Sequence, residues 1–172
     1  DNDDYFHRKN TTADDHHQLF ADNDERIIFF ARGVLETTKK LRWAPDVVHC
    51  HGWFTALAPL LIKKTLHDDP FFANAKVVYS IYEDGFEADL DKQIKQKIKS
   101  LGIAEKDLKV LDPPTYANLS KLAINMSDGI IQGCEKINPE IEKYVVESGK
   151  PFLRYHPKDT YVDAFNDFYD AL

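Results

Sequence analysis

The chain has 172 residues, the size of one domain built around one core. Hydrophobic residues make up 43% and charged residues 30%, a balance that excludes a disordered tail, and the net charge of −7 argues against a nucleic-acid partner, which calls for a basic patch or stripe. No apolar run reaches the roughly 18–20 residues of a membrane span and no signal-peptide core is present, so no membrane partner is expected.

Cys50 and Cys134 form no CxxC pair, which fits a reduced, cytoplasmic setting better than a disulfide framework. The first methionine is Met126, so residues upstream of Asp1 are expected.

The first 25 residues are polar and acidic, and the aromatic residues Tyr5, Phe6 and Phe20 among them predict a loop that packs against the body. A long helix follows. Ile27, Phe30, Ala31, Val34, Thr38 and Leu41 recur at spacings of three and four, which places them on one inward face, and Pro45 bounds the helix. The β-branched run Asp46–Cys50 predicts a strand, broken at His51-Gly52. Leu57, Leu60, Leu61 and Leu66 then mark a helical stripe, and Lys76–Tyr82 reads as a second strand. Strand, helix and strand in succession make a βαβ unit, which implies parallel strands.

Beyond Glu83-Asp84-Gly85, residues Leu90, Ile94, Ile98 and Leu101 predict a helix whose lysines form a solvated face. Tyr116–Ser127 predicts another, with Tyr116, Leu119, Leu122, Ala123 and Met126 inward, and Gly129–Gln132 a short buried strand. Asn138-Pro139-Glu140 has the chemistry of a helix start, with a capping side chain, proline at the first position and acidic charge; Gly149 is its expected stop. Phe152–Tyr155 predicts a last strand. A terminal helix, capped by Asp159, directs Tyr161, Phe165, Phe168 and Leu172 inward. The expected fold class is α/β, a mostly parallel sheet flanked by helices. Ligands of such sheets bind outside the carboxyl ends of the strands, which directs attention to His49–Phe54 and Ser80–Phe86.

His49-Cys50-His51 is superficially a metal motif. Zinc needs three or four converging ligands, but consecutive strand residues point to opposite faces, so no metal is expected there. His49 is expected as a hydrogen-bonded core histidine. His51 sits at the strand end, where a side chain can reach a ligand. No GxSxG, Walker A or GxGxxG pattern occurs. Glu83 and Asp84 could serve as paired carboxylates, although a glycine-containing turn alone accounts for them.

Several segments carry a resemblance. Pro45-Asp46-Val47-Val48-His49-Cys50-His51-Gly52-Trp53-Phe54-Thr55-Ala56-Leu57-Ala58-Pro59 is similar to the stretch PDVVHxHDWHTALAP of bacterial glycogen synthases and starch synthases. Tyr5-Phe6-His7-Arg8 resembles that family's aromatic-x-Arg element, and Asp22–Arg26 with Phe29 and Phe30 its DNxxRF segment. Lys76–Tyr82 falls where the family has a strand ending in Thr-Val/Ile-His-Asn. Asn118–Glu140 resembles its following helix, strand and Val-Ser-Pro…Glu-Ile segment.

The resemblance implies a Rossmann-like sheet belonging to the N-terminal domain of a GT-B retaining glycosyltransferase. It implies transfer of glucose from ADP-glucose to the non-reducing end of an α-1,4-glucan, with no metal or other cofactor. Residues 1–172 are expected as a single Rossmann-like domain that lacks its own N-terminal βα portion and a C-terminal GT-B domain. The substrate-side candidates are Tyr5, Arg8, His51, Trp53, Tyr82 and Glu83, and the cleft candidates are His51, Gly52 and Tyr82. Three positions depart from the family. Gly52 stands in place of its aspartate, Phe54 in place of its second histidine, and Tyr82 in place of the histidine beside the transferred sugar. A tyrosine still stacks on sugars and forms hydrogen bonds, but with a phenol that titrates near 10 it holds no positive charge near neutrality. Lost polar groups mean lost electrostatic preorganisation, so the chain alone is expected not to turn over ADP-glucose. The alternative is a non-catalytic descendant that binds glucan or a partner. The sequence leaves the oligomeric state open.

Overall fold

The computed structural model describes residues 2–172. Four parallel strands form one sheet in the order β1 (Val47–His51), β2 (Lys76–Ile81), β3 (Gly129–Gln132) and β4 (Phe152–Leu153). The order is sequential because each crossover steps one place in the same direction. Right-handed crossovers of this kind place their helices on one face. Helix α3 (Leu57–Thr65) joins β1 to β2, helices α4 (Ile94–Lys99) and α5 (Tyr116–Asn125) lie between β2 and β3, and α6 (Pro139–Ser148) joins β3 to β4. Helix α5 packs against both α3 and α6. The core lies between this layer and the sheet, with Tyr79, Ile81, Leu60, Leu119, Leu122 and Ile130 at 0–1% exposure.

The predicted elements occur, with instructive shifts. Helix α2 spans Asn23–Lys40, after the short α1 (Asp3–Phe6). Its buried stripe is Ile27, Ala31 and Leu35. Val34 and Leu41, expected inward, are exposed at 45% and 69%. A strict spacing of four through 27, 31 and 35 turns Val34 away from the core by one residue. At the start of α6 the side chain of Asn138 accepts hydrogen bonds from the Glu140 and Ile141 N–H groups, and Gly149 ends the helix with φ of 67°.

The acidic N-terminal segment is tied down. Tyr5 donates to Glu25 at 2.8 Å, and Arg8 pairs with Asp22 at 2.5 Å. Arg26 is 1% exposed. It donates to the Tyr5 carbonyl and Asn23, and its guanidinium lies 5.2–5.6 Å from the rings of Phe6, Phe20 and Phe54.

The last helix, α7 (Tyr161–Asp170), covers the other face of the sheet. Alternation puts His49, Val78, Ser80, Gly129 and Ile131 on that face. Gly129 is needed there, because a Cβ would come within 2.8–3.0 Å of Phe168 and Leu172. The helix begins after Thr160 with no side-chain cap, so Asp159 does not cap it. Tyr161, expected inward, is 41% exposed. Among the described residues no helix is long and apolar enough to cross a membrane.

Candidate active site

The carboxyl ends of β1 and β2 form the centre of the site. Strand β1 turns at Gly52, whose φ of 71° and ψ of 174° suit glycine alone. The turn is held by the Gly52 N–H donating to the Ser80 carbonyl at 3.0 Å. A Cβ at Gly52 would collide with the Asp84 carboxylate. The missing side chain therefore leaves a notch that Asp84, arriving from the end of β2, fills. Asp84 accepts from the Trp53 N–H at 3.1 Å and from the Tyr116 hydroxyl at 3.2 Å. Tyr116 also donates to the Tyr82 carbonyl at 2.8 Å. Desolvation holds the Asp84 carboxyl above its ordinary range, against the pull of the Trp53 N–H and Tyr116.

Gly52 and Tyr82 are neighbours: the Cβ position of Gly52 lies 3.9 Å from the Tyr82 ring. Tyr82 lies flat over Gly133, where a Cβ would approach the ring to 2.5 Å. His51 Nδ1 is 2.9 Å from the Tyr82 hydroxyl, and the His51 ring stacks on His49 at 3.8 Å between centroids. His49 is held at both nitrogens, 2.6 Å from the Tyr169 hydroxyl and 2.6 Å from the Ser80 hydroxyl. Burial, reinforced by the neighbouring His51, pushes the pKa of His49 down to about 3. Desolvation also lowers His51. Both rings are thus neutral near pH 7. Cys50 points to the opposite face, into the core, where burial pushes its thiol up to about 12. Among the described residues no group of three or more His, Cys, Asp or Glu side chains could hold a metal ion.

Trp53 is 4% exposed and packs edge-on against Phe86 at 4.8 Å and Phe54 at 5.5 Å. It forms the floor of a groove of about 750 Å³. One wall is the 84–91 loop with Asp84 and Phe86, and the other is the 12–21 segment with Leu19 and Phe20. Glu83 is exposed and lines a second cavity with Tyr82, Tyr116 and Pro139. His51, Gly52, Trp53, Tyr82 and Glu83 thus converge on one sheet edge. Tyr5 and Arg8 lie instead at the junction of α1 and α2, bound to Glu25 and Asp22, and do not line this groove. Three contributors carry little sequence signal: Tyr116 and Gly133, each on a different element, and Tyr169 on α7.

A parallel sheet flanked by helices, with polar and aromatic groups gathered at its carboxyl edge, defines an α/β protein of the class whose ligands bind outside that edge. The sequence model of the starch synthase catalytic domain matches residues 1–149. Glycogen synthase of Clostridium perfringens is 34% identical over 140 residues, covering 80% of this chain and 27% of that protein. Glycogen synthase of Geotalea uraniireducens is 34% identical over 145 residues, covering 83% and 29%. The catalytic domain of starch synthase IV from Arabidopsis thaliana, bound to ADP and acarbose, shares the fold with a TM-score of 0.63 at 18% identity, over 90% of this chain and 33% of that one. The chain belongs to the starch synthase catalytic domain family, and it spans about a quarter of the length of the curated relatives it matches.

Proposed function

We propose that this chain forms the glucan-facing part of a glucosyl-transfer site, in a protein that moves glucose from ADP-glucose to the non-reducing end of an α-1,4-glucan. The observation that carries this reading is the groove at the carboxyl edge, where Phe86 lines one wall beside Asp84 and is backed by the buried Trp53. Aromatic faces take up the apolar faces of sugars, and a carboxylate accepts from their hydroxyls. Family membership supplies the reaction class. The starch synthase IV neighbour is bound to ADP and acarbose, which accords with nucleotide-sugar and α-glucan as the ligands.

The chain by itself does not turn over ADP-glucose under this proposal. At the sheet edge His49 and His51 are neutral near pH 7, and Tyr82 supplies a neutral phenol whose pKa desolvation raises further. Among the described residues, the strand-end side chains His51 and Tyr82 supply no positive charge near pH 7 to offset developing phosphate charge. Calorimetric titration with maltooligosaccharides tests the binding half of the proposal. Asp84→Asn and Phe86→Ala should each weaken binding about tenfold, the scale of one lost hydrogen bond to a charged group or one lost stacking contact. Unchanged affinity in both variants would remove the groove from the account.

A further inference from the structure

Asp84 reaches the groove from an irregular segment that follows β2, and a single residue of α5 holds that segment along its length. Tyr116 is the first residue of α5, in a turn fixed by the Thr115 side chain, which accepts from the Asn118 N–H at 3.1 Å. Its hydroxyl lies 2.8 Å from the Tyr82 carbonyl and 3.2 Å from Asp84 Oδ1. Its ring lies against Gly85, where a Cβ would come within 3.0 Å, and packs edge-on against Phe86 at 5.7 Å. We propose that Tyr116 is a positioning residue for the Asp84 carboxylate, and that this carboxylate stands in for the aspartate that the resemblance places at position 52. The value of that carboxylate to a glucan rests on the function proposed above.

Positions 52 and 84 exclude one another, because a side chain at 52 would collide with Asp84 Oδ2. The notch therefore takes one carboxylate, from either residue, and in this chain residue 84 supplies it. Each Asp84 oxygen accepts one protein hydrogen bond, Oδ2 from the Trp53 N–H and Oδ1 from Tyr116. An ionised carboxylate has about four lone-pair sites, so acceptor capacity is left for a group entering the groove that Asp84 lines. The Tyr116 hydroxyl has one proton for two acceptors. It is divided between the Tyr82 carbonyl and the carboxylate while Asp84 is ionised. Burial, with the Asp84 charge and hydrogen bond, holds the Tyr116 phenol above its ordinary value, so it remains a donor throughout the range in which a carboxyl titrates. The other titratable groups facing Asp84 are Tyr79 and Tyr82 of β2 and His17, Glu87, Asp89 and Asp91 around the groove. Among the described residues no lysine or arginine lines that groove. Hydrogen bonds from Trp53 and Tyr116, rather than a counter-ion, thus keep the carboxylate ionised and aimed.

The test is Tyr116→Phe in the 172-residue chain, read first without ligand. Carboxyl-carbon NMR should show Asp84 titrating at higher pH in the variant than in the parent, since the phenol no longer stabilises the ionised form. Calorimetry with maltooligosaccharides from pH 8 to pH 5 should then show a loss of affinity that widens as pH falls, from about threefold to about tenfold or more. A residue that only supports the fold would weaken binding by one factor throughout, as Phe86→Ala should. Adding Tyr116→Phe to Asp84→Asn should cost no further affinity. A 3-fluorotyrosine in place of Tyr116, a stronger donor of the same shape, should move the Asp84 titration to lower pH, and it carries the test if Tyr116→Phe does not fold. An Asp84 titration unmoved by either replacement, or a loss of affinity independent of pH, would overturn the positioning role. A shifted titration with no maltooligosaccharide binding at any pH would overturn the glucan reading alone.

Discussion

His49 shows how one side chain can be read twice. Its place in a β-branched run marks a residue on the sheet, and its type hints at ligand chemistry. The structure resolves the matter through its partners: both ring nitrogens are taken, by Ser80 and Tyr169. A neutral imidazole can donate at one nitrogen and accept at the other, and desolvation keeps it neutral down to about pH 3. In the unfolded chain the same group takes up a proton below its ordinary value of 6.5. The unfolded state therefore binds more protons as pH falls from 6.5 towards 3, and folding stability drops over that window, with no contribution above it. Urea midpoints measured from pH 7 to pH 4 should fall in the parent chain and fall less in His49→Gln. Parallel curves would remove His49 as the source. Gly52 carries a second prediction at this scale. Gly52→Ala meets the Asp84 carboxylate and a positive φ together, and should destabilise by roughly 1–3 kcal/mol. Asp84→Gly in the same chain should recover the part due to the collision. Asp84 was the least legible member of the site. Sequence alone offers turn chemistry for an acidic residue beside a glycine, and only the approach of two strand ends reveals that it fills the space left by Gly52.

The elements were legible wherever local chemistry alone determines them. Asn138-Pro139 and Gly149 bound α6 at the expected positions, because capping and positive φ are satisfied within a few residues. Strand β3 follows from a short apolar run flanked by helices. The inward face of α2 was less legible, since Val34 and Leu35 are both apolar and only packing against α3 selects Leu35. Helix α7 was foreseen as an amphipathic helix, but its partner was not. Its contact with the sheet runs through Tyr169 to His49 and Phe168 to Gly129, separations of 120 residues for the first pair that no local pattern encodes. No α7 residue is fully buried, so α7 is held more weakly than α5, whose Leu119 and Leu122 are at 0% exposure. Leu119→Ala should cost about 2–5 kcal/mol by chemical denaturation. Tyr169→Phe should cost about 1 kcal/mol, the net value of one hydrogen bond. Native-state hydrogen exchange should find α7 opening before α5; equal protection of the two helices would contradict this ranking.

On the scale of the whole molecule, a sequential parallel sheet places its helical layer on one face and its strand tips along one edge, and the candidate site occupies that edge. The starch synthase sequence model covers β1 to β3 and the helical layer, while β4 and α7 lie beyond its last matched residue. Groups at the edge come from side chains separated widely in sequence, which is why motif reading names His51, Trp53 and Tyr82 but not Gly133 or the contact of Tyr116 with Asp84. The chain spans about a quarter of its curated relatives, so glucosyl transfer as proposed draws on residues beyond those 172. Incorporation of labelled glucose from ADP-glucose into an α-1,4-glucan, compared between the product of the full reading frame and the isolated 172-residue chain, tests this account most directly. Elongation by the full product, lost in Asp84→Asn and absent from the isolated chain, is the predicted result; robust elongation by the isolated chain, or none by the full product, would contradict it.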